Sequence, residues 1–229
     1  DSYYTFVSCW TDSEEESIPL WKMYAGKEMH GIRISLDSDM FLKYHIPSGR
    51  FYGVDVYSKN EKSSILPIEK IVTKDYLVVP SFNDSEMFFK KVLYVDNPFS
   101  EMRDVVQIQD MGNGEGAMKM NLKKIGLYKR KCWAFQKEHR FTLTILPNIW
   151  GDIDINQMPK RIMQAVYDRI PPKLSFFDLE INPELLSKMK ITLSPICSEA
   201  EKVIVESIVQ KFAPKAIIRE SMLKGLINR

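Results

Sequence analysis

The chain has 229 residues, enough to bury a sizeable core as one large domain or one domain with a small appendage. With 45% hydrophobic residues and a net charge of +2, its composition excludes wholesale disorder and gives no overall pull toward a polyanion. Three cysteines without C-x-x-C spacing point to a reducing, cytoplasmic setting and away from structural zinc.

No apolar run reaches the roughly 18 residues of a membrane span, and no signal peptide is visible, so no membrane partner is expected. The chain opens Asp1-Ser2-Tyr3-Tyr4, without Met, and runs at once into strand-like sequence. A segment upstream of Asp1 is therefore expected. Residues 1–229 read as a single domain, with 148–229 as a C-terminal helix-and-strand subregion.

In chain order, Tyr3 to Trp10 is rich in aromatic and β-branched residues and predicts a strand. Thr11 to Glu16 supplies cap residues and an acidic first turn for a helix. That helix holds Ile18, Leu20, Trp21, Tyr24 and Ala25 close to one face and ends near Gly26. Gly31 to Leu36 alternates Ile32, Ile34 and Leu36 as a strand; Phe51 to Tyr57, Tyr76 to Val79 and Phe88 to Val95 are three more. Asp110 to Gly116 holds three of the ten glycines and predicts a turn or loop. It lacks the Lys-Ser/Thr ending of a P-loop and the flanking pattern of a dinucleotide fingerprint.

From Lys119 to Arg140 stand eight Lys or Arg against one acidic residue, Glu138. Phe141 to Leu146 then alternates as a strand. Met158 to Ile170 predicts a helix stopped by Pro171-Pro172, Phe176 to Ile181 a short strand, and Met189 to Leu193 another. Ser198 to Phe212 predicts an amphipathic helix with Ala200, Val203, Ile204, Ile208 and Phe212 on one side, and Ala216 to Ile218 a last short strand. Strands dominate the first two thirds and helices punctuate the last. The fold class expected is α+β, mostly antiparallel mixed sheets with peripheral helices.

The chemistry-bearing stretch is Trp133 to Arg140. Glu138 and Arg140, two apart at a strand start, share a face. They form either a structural ion pair or part of a site. In the second case the carboxylate suits a ribose hydroxyl and the positive charge that develops at an anomeric carbon, while Arg140 binds phosphate or orients Glu138. No second carboxylate is at hand for an ordinary glycoside hydrolase. Ser8 and Thr11 are either strand-end caps or site groups. Trp21 and Tyr24 either plug a core or wall a planar ring. Cys9 as a nucleophile requires a nearby His, with His30 and His45 the options; no G-x-S-x-G elbow occurs. The scattered His and Cys offer no metal-ligand spacing, so no metal is expected. The basic stretch, with Tyr128, Trp133 and Phe135 interleaved, reads either as a solvated surface or as a nucleic-acid contact.

Phe6-Val-Ser-Cys-Trp-Thr11, Leu20-Trp-Lys-Met-Tyr-Ala25, Gly31-Ile-Arg-Ile34, the Val54 to Tyr57 strand, Trp133-x-x-x-x-Glu138-x-Arg140, Ile191-Thr-Leu-Ser-Pro195 and Ile218-Arg-Glu-Ser-Met-Leu223 follow one another in order. This succession resembles a bacterial domain family of unknown function associated with phage defence and abortive infection, over residues 3 to about 225. The chain departs from that pattern in two places: Gln136-Lys137-Glu138 leaves one late carboxylate where the family has two, and Ser194-Pro195 replaces a Gly-Pro turn. A further N-terminal stretch of the family would lie before Asp1. The layout is also similar to ADP-ribosyltransferases. That similarity implies Glu138 as catalytic carboxylate with Arg140 and Ser8, and Trp21, Tyr24, Thr11 and Trp133 as substrate contacts. It implies NAD or a nucleotide as substrate, with a protein or nucleic acid as possible target. The expected function is a defence or toxin effector performing ADP-ribosyl transfer or NAD cleavage. Two alternatives stay open: a non-enzymatic nucleic-acid- or protein-binding defence module, and a ribonuclease-like toxin using His139 and Lys137.

Overall fold

The computed structural model describes residues 2–46, 48–51, 54–56, 63–112, 115–148 and 157–227. They form helices and antiparallel-dominated sheets, an α+β architecture, in two compact units. The first comprises 1–12 and 43–178, the second 13–42 and 179–229.

The first unit is organised by one long strand, Glu138–Pro147. From Phe141 to Pro147 it is buried on both faces, which its run of Phe, Leu, Ile and Thr permits. Thr5–Thr11 pairs antiparallel along one edge, in continuous register from Thr5 opposite Thr144 to Thr11 opposite Glu138. The other edge is shared: Phe89–Lys91 pairs with residues 139–141, and Tyr76–Val78 with 145–147. The helix Met158–Tyr167 packs on the long strand. There Ile162 joins Tyr4 and Leu146 in a buried cluster against which Leu77, Val79 and Val166 pack.

The expected strand Phe88 to Val95 is two strands. At Val92 the chain donates its N–H to the Glu138 carbonyl (2.9 Å), and Leu93–Val95 then pairs in parallel with Tyr128–Arg130. The glycine-rich stretch links Val106–Gly112 to Glu115–Met120 in an antiparallel hairpin; Asn113 and Gly114 lie outside the described residues. Strand flanking strand is the opposite of the strand-then-helix setting a phosphate loop needs. Of the expected strand Phe51 to Tyr57, Gly49–Phe51 pairs with Val54–Val56, and the rest lies outside the described residues.

In the second unit Lys190–Leu193 is the middle strand of three. It runs antiparallel to Ile32–Ser35 and parallel to Ile217–Arg219. Parallel neighbours need a long crossover, and the helix Glu199–Phe212 provides it. This helix begins with a capping box: the Ser198 hydroxyl accepts from the Glu201 N–H while the Glu201 carboxylate accepts from the Ser198 N–H. Its inward side carries Val209, with Ala213 buried just beyond its end; Val203, Ile204, Ile208 and Phe212, the apolar side legible in the sequence, are exposed. Phe176 to Ile181 is not a strand; only Ile181 makes a bridge, to Phe41. The acidic lead-in has a specific use: Glu16 accepts hydrogen bonds from the Trp21 indole (2.9 Å), the Ser221 hydroxyl (2.7 Å) and the Met222 N–H (2.7 Å).

Among the described residues no helix is long and apolar enough to cross a membrane.

Candidate functional site

Glu138 opens the long strand immediately after a 3-10 turn, Lys131–Gln136. The turn ends at Lys137, whose φ of 45° is left-handed, so the chain reverses there and enters the strand. This reversal brings Lys129, on the strand before the turn, back over Glu138. Glu138 is 4% exposed, and its two carboxylate oxygens are divided between two cations. Oε1 accepts from Arg140 Nε (2.6 Å), and Oε2 accepts from Lys129 Nζ (2.6 Å). Arg140 also donates to the Gly126 carbonyl (2.8 Å), and Lys129 to the Gln136 side-chain oxygen. Below, the Glu138 N–H donates to the Tyr94 hydroxyl (2.8 Å).

Burial works to raise the Glu138 pKa, but hydrogen bonds from Arg140, Lys129 and the Cys9 thiol outweigh it and hold the carboxyl at about 2. The same arrangement acts oppositely on Cys9: burial of the sulfur and its bond to the Glu138 carboxylate push the thiol up. A thiol held protonated is a poor nucleophile at neutral pH, so Cys9 serves here as a hydrogen-bond donor.

Strand register sorts the expected site residues onto faces. Thr11 opposes Glu138 and Cys9 opposes Arg140, so Thr11 and Cys9 share the Glu138 face. Ser8 opposes Phe141, on the other face, where its hydroxyl accepts from the Trp10 indole (2.9 Å). Thr11 donates to the Gln136 carbonyl (2.7 Å), closing the base of the turn. Trp133 is joined to the cluster through Lys129, whose ammonium lies 5.3 Å from its ring centroid. Its ring stands 6.0 Å from that of Phe135, and both are partly exposed. Trp21 and Tyr24 belong to the second unit, Trp21 buried against Glu16 and Tyr24 exposed.

His139 lies on the Ser8 face, stacked on Phe89 (5.1 Å between centroids), with Nδ1 3.7 Å from the Asp12 carboxylate. Several cations of the basic stretch have carboxylate partners: Lys123 pairs with Glu86 (2.5 Å) and Lys131 with Asp96 (2.7 Å). Sequence reasoning missed Lys129, Tyr94 and Gln136. For Lys129 and Gln136 the only sequence signal is proximity to Glu138; Tyr94, 44 residues away along the chain, has none and is brought in by the parallel pairing of Leu93–Val95 with Tyr128–Arg130. Among the described residues, no group of three or more His, Cys, Asp or Glu side chains could hold a metal ion.

No family model, no curated protein and no solved structure matches this chain.

Proposed function

We propose that the first unit binds NAD or a related nucleotide at the Glu138 cluster and acts on it by ADP-ribosyl transfer or NAD cleavage, in an ADP-ribosyltransferase-like layout. The observation that carries this reading is the ionised Glu138 whose Oε2 is held by Lys129, the more exposed of its two cations. A carboxylate that is charged at neutral pH is what a developing oxocarbenium ion requires. Arg140, fixed to Oε1 and to the Gly126 carbonyl, keeps the group oriented. The exchangeable contact is Lys129: a ribose hydroxyl takes its place on Oε2, and the released ammonium meets the ligand's phosphate. Trp133 and Phe135 offer ring faces for a base, in reach of the same ammonium. Ser8 enters this reading only as a support of the neighbouring strand. The defence or toxin setting, and the cytoplasmic location that goes with it, rest on the resemblance in sequence.

NAD turnover and label transfer by the full-length protein test the reading, with Glu138→Gln and Lys129→Met alongside. Activity is expected in the parent protein, with Glu138→Gln abolishing turnover while the fold is retained. Absence of both NAD binding and turnover overturns it.

The alternative is a non-enzymatic module that binds nucleic acid or protein through residues 119–140. It is favoured by the exposed turn, where Trp133 and Phe135 stand beside Arg130, Lys131 and Lys137. Binding through phosphate contacts falls steeply with salt, and a slope of that kind without NAD turnover would select it. A ribonuclease-like toxin depends on His139; RNA cleavage that survives His139→Ala would remove that option.

A further inference from the structure

Lys90 is 4% exposed, and its ammonium is held by two backbone carbonyls, those of Leu122 and Ile125 (2.7 Å each). Among the described residues no carboxylate pairs with it. A buried ammonium without a counter-ion costs free energy even when hydrogen-bonded, and burial lowers its pKa to about 8. Packing alone would be served better by an apolar side chain of similar volume. Lys90 stands directly opposite Arg140 in the pairing of Phe89–Lys91 with the long strand. Like charges so placed repel, and here both are turned onto the carbonyls of one turn, residues 121–127. Lys90 takes Leu122 and Ile125, and Arg140 takes Gly126 (2.8 Å).

We propose that Lys90 is a positioning residue for Glu138: by fixing the turn from inside, it sets Arg140 and Lys129 on the carboxylate without a bond of its own to Glu138. The turn's other side-chain anchors lie at the surface, Lys123 on Glu86 (2.5 Å) and Lys124 on the Glu101 carbonyl (3.2 Å). Exposed contacts of this kind hold a backbone weakly. The turn runs directly into Tyr128–Arg130, the strand that carries Lys129. Both cations on Glu138 therefore depend on it: Arg140 through the Gly126 carbonyl, and Lys129 through the chain that follows. The consequence for catalysis rests on the nucleotide reading; the consequence for the carboxylate does not.

Carboxyl-carbon NMR of Glu138 in the full-length protein, titrated from pH 7 down to about pH 3, tests this. The control is Ile145→Val, a small cavity in the same strand away from the turn. The groups that bond to the carboxyl, Arg140, Lys129 and the Cys9 thiol, are the same in every variant. In the parent and in Ile145→Val the carboxyl should stay mostly ionised throughout. In Lys90→Met its pKa should rise by at least about one unit. Where the parent turns over NAD, kcat should fall at least about tenfold in Lys90→Met, with KM changed less. Lys90→Gln, which keeps an N–H donor on a shorter arm, should fall between, and it decides by the same criterion if Lys90→Met does not fold. A Lys90→Met carboxyl that titrates as the parent's does overturns the proposal. So does an equal shift in Ile145→Val, or a failure of both Lys90 variants to fold, which would make Lys90 a strut of the fold. A parent protein without NAD turnover retires the nucleotide reading alone, because the titration does not depend on it.

Discussion

Replacing Glu138 by Gln keeps the shape of the side chain and removes the charge that Arg140 and Lys129 share. The folded carboxyl titrates at about 2 against 4.5 for a free glutamate, and the site is buried. At about 1.36 kcal/mol per pH unit of separation, the ionised form contributes about 3 kcal/mol of stability at neutral pH. The folded value is the lower one, so this contribution is complete above 4.5 and fades as pH falls through 2. At pH 3 roughly 1.5 kcal/mol should remain. Urea denaturation of the parent and Glu138→Gln at pH 7 and pH 3 reads the difference directly, and other carboxylates cancel between the two proteins. The variant is expected to be about 3 kcal/mol less stable at pH 7, with the gap roughly halved at pH 3. A gap that does not change with pH would refute the reasoning, because it would show that the charge is not what the cluster responds to. A variant as stable as the parent would refute it more simply.

Three further outcomes follow from the geometry. Lys90 is buried with its ammonium donating to the Leu122 and Ile125 carbonyls (2.7 Å each), and burial lowers its pKa to about 8 from 10.5. Between those values the unfolded chain holds the proton and the folded one releases it, so stability relative to Lys90→Met should rise by about 3 kcal/mol from pH 8 to 10.5; a flat difference in urea melts would show a solvated amine. Gly126 has φ +71°, and an added Cβ would stand 3.3 Å from Thr142 Cγ2, so Gly126→Ala should cost about 1–2 kcal/mol and loosen the carbonyl that Arg140 uses. An unchanged melting temperature would contradict that. Ser198→Ala removes half of the capping box of the helix Glu199–Phe212 and should cost about 1 kcal/mol by denaturant melt, whereas a loss within error would mean that solvent caps the helix equally well.

The parts of the site legible in sequence are those fixed by local periodicity. Glu138 and Arg140 are two apart on a strand, and the period of the pleat alone puts them on one face; the 2.6 Å bond between them is the result. The helix Glu199–Phe212 and its cap are legible for the same reason. What local pattern does not carry is register. Whether Ser8 or Cys9 shares the face of Glu138 depends on a slip of one residue between strands 130 positions apart, and nothing within either strand states it. Likewise the tryptophan of the first helix could be assigned to a binding wall or to packing with equal reason until Glu16 is seen accepting from its indole.

The helix Glu199–Phe212 and the strand end at Glu138 show the same limit from two directions. Apolar periodicity states that a face exists but not what lies against it: Ala200, Val203, Ile204, Ile208 and Phe212 are legible as one side of a helix, and that side is found exposed. Charge patterning states that a carboxylate has cations nearby in the sequence but not how many reach it. Lys129 is nine residues from Glu138 along the chain and becomes its direct partner across the 3-10 turn, which ends at Lys137 in a left-handed conformation. That turn links fold to chemistry at this site. It holds the carboxylate charged, through Lys129 as well as through Arg140. Lys129→Met should therefore separate two roles that Glu138→Gln merges: it removes the more exposed of the two cations while Arg140 still orients the carboxylate. Under the nucleotide reading it weakens NAD binding more than it destabilises the fold, and an equal loss in both would make Lys129 a strut alone.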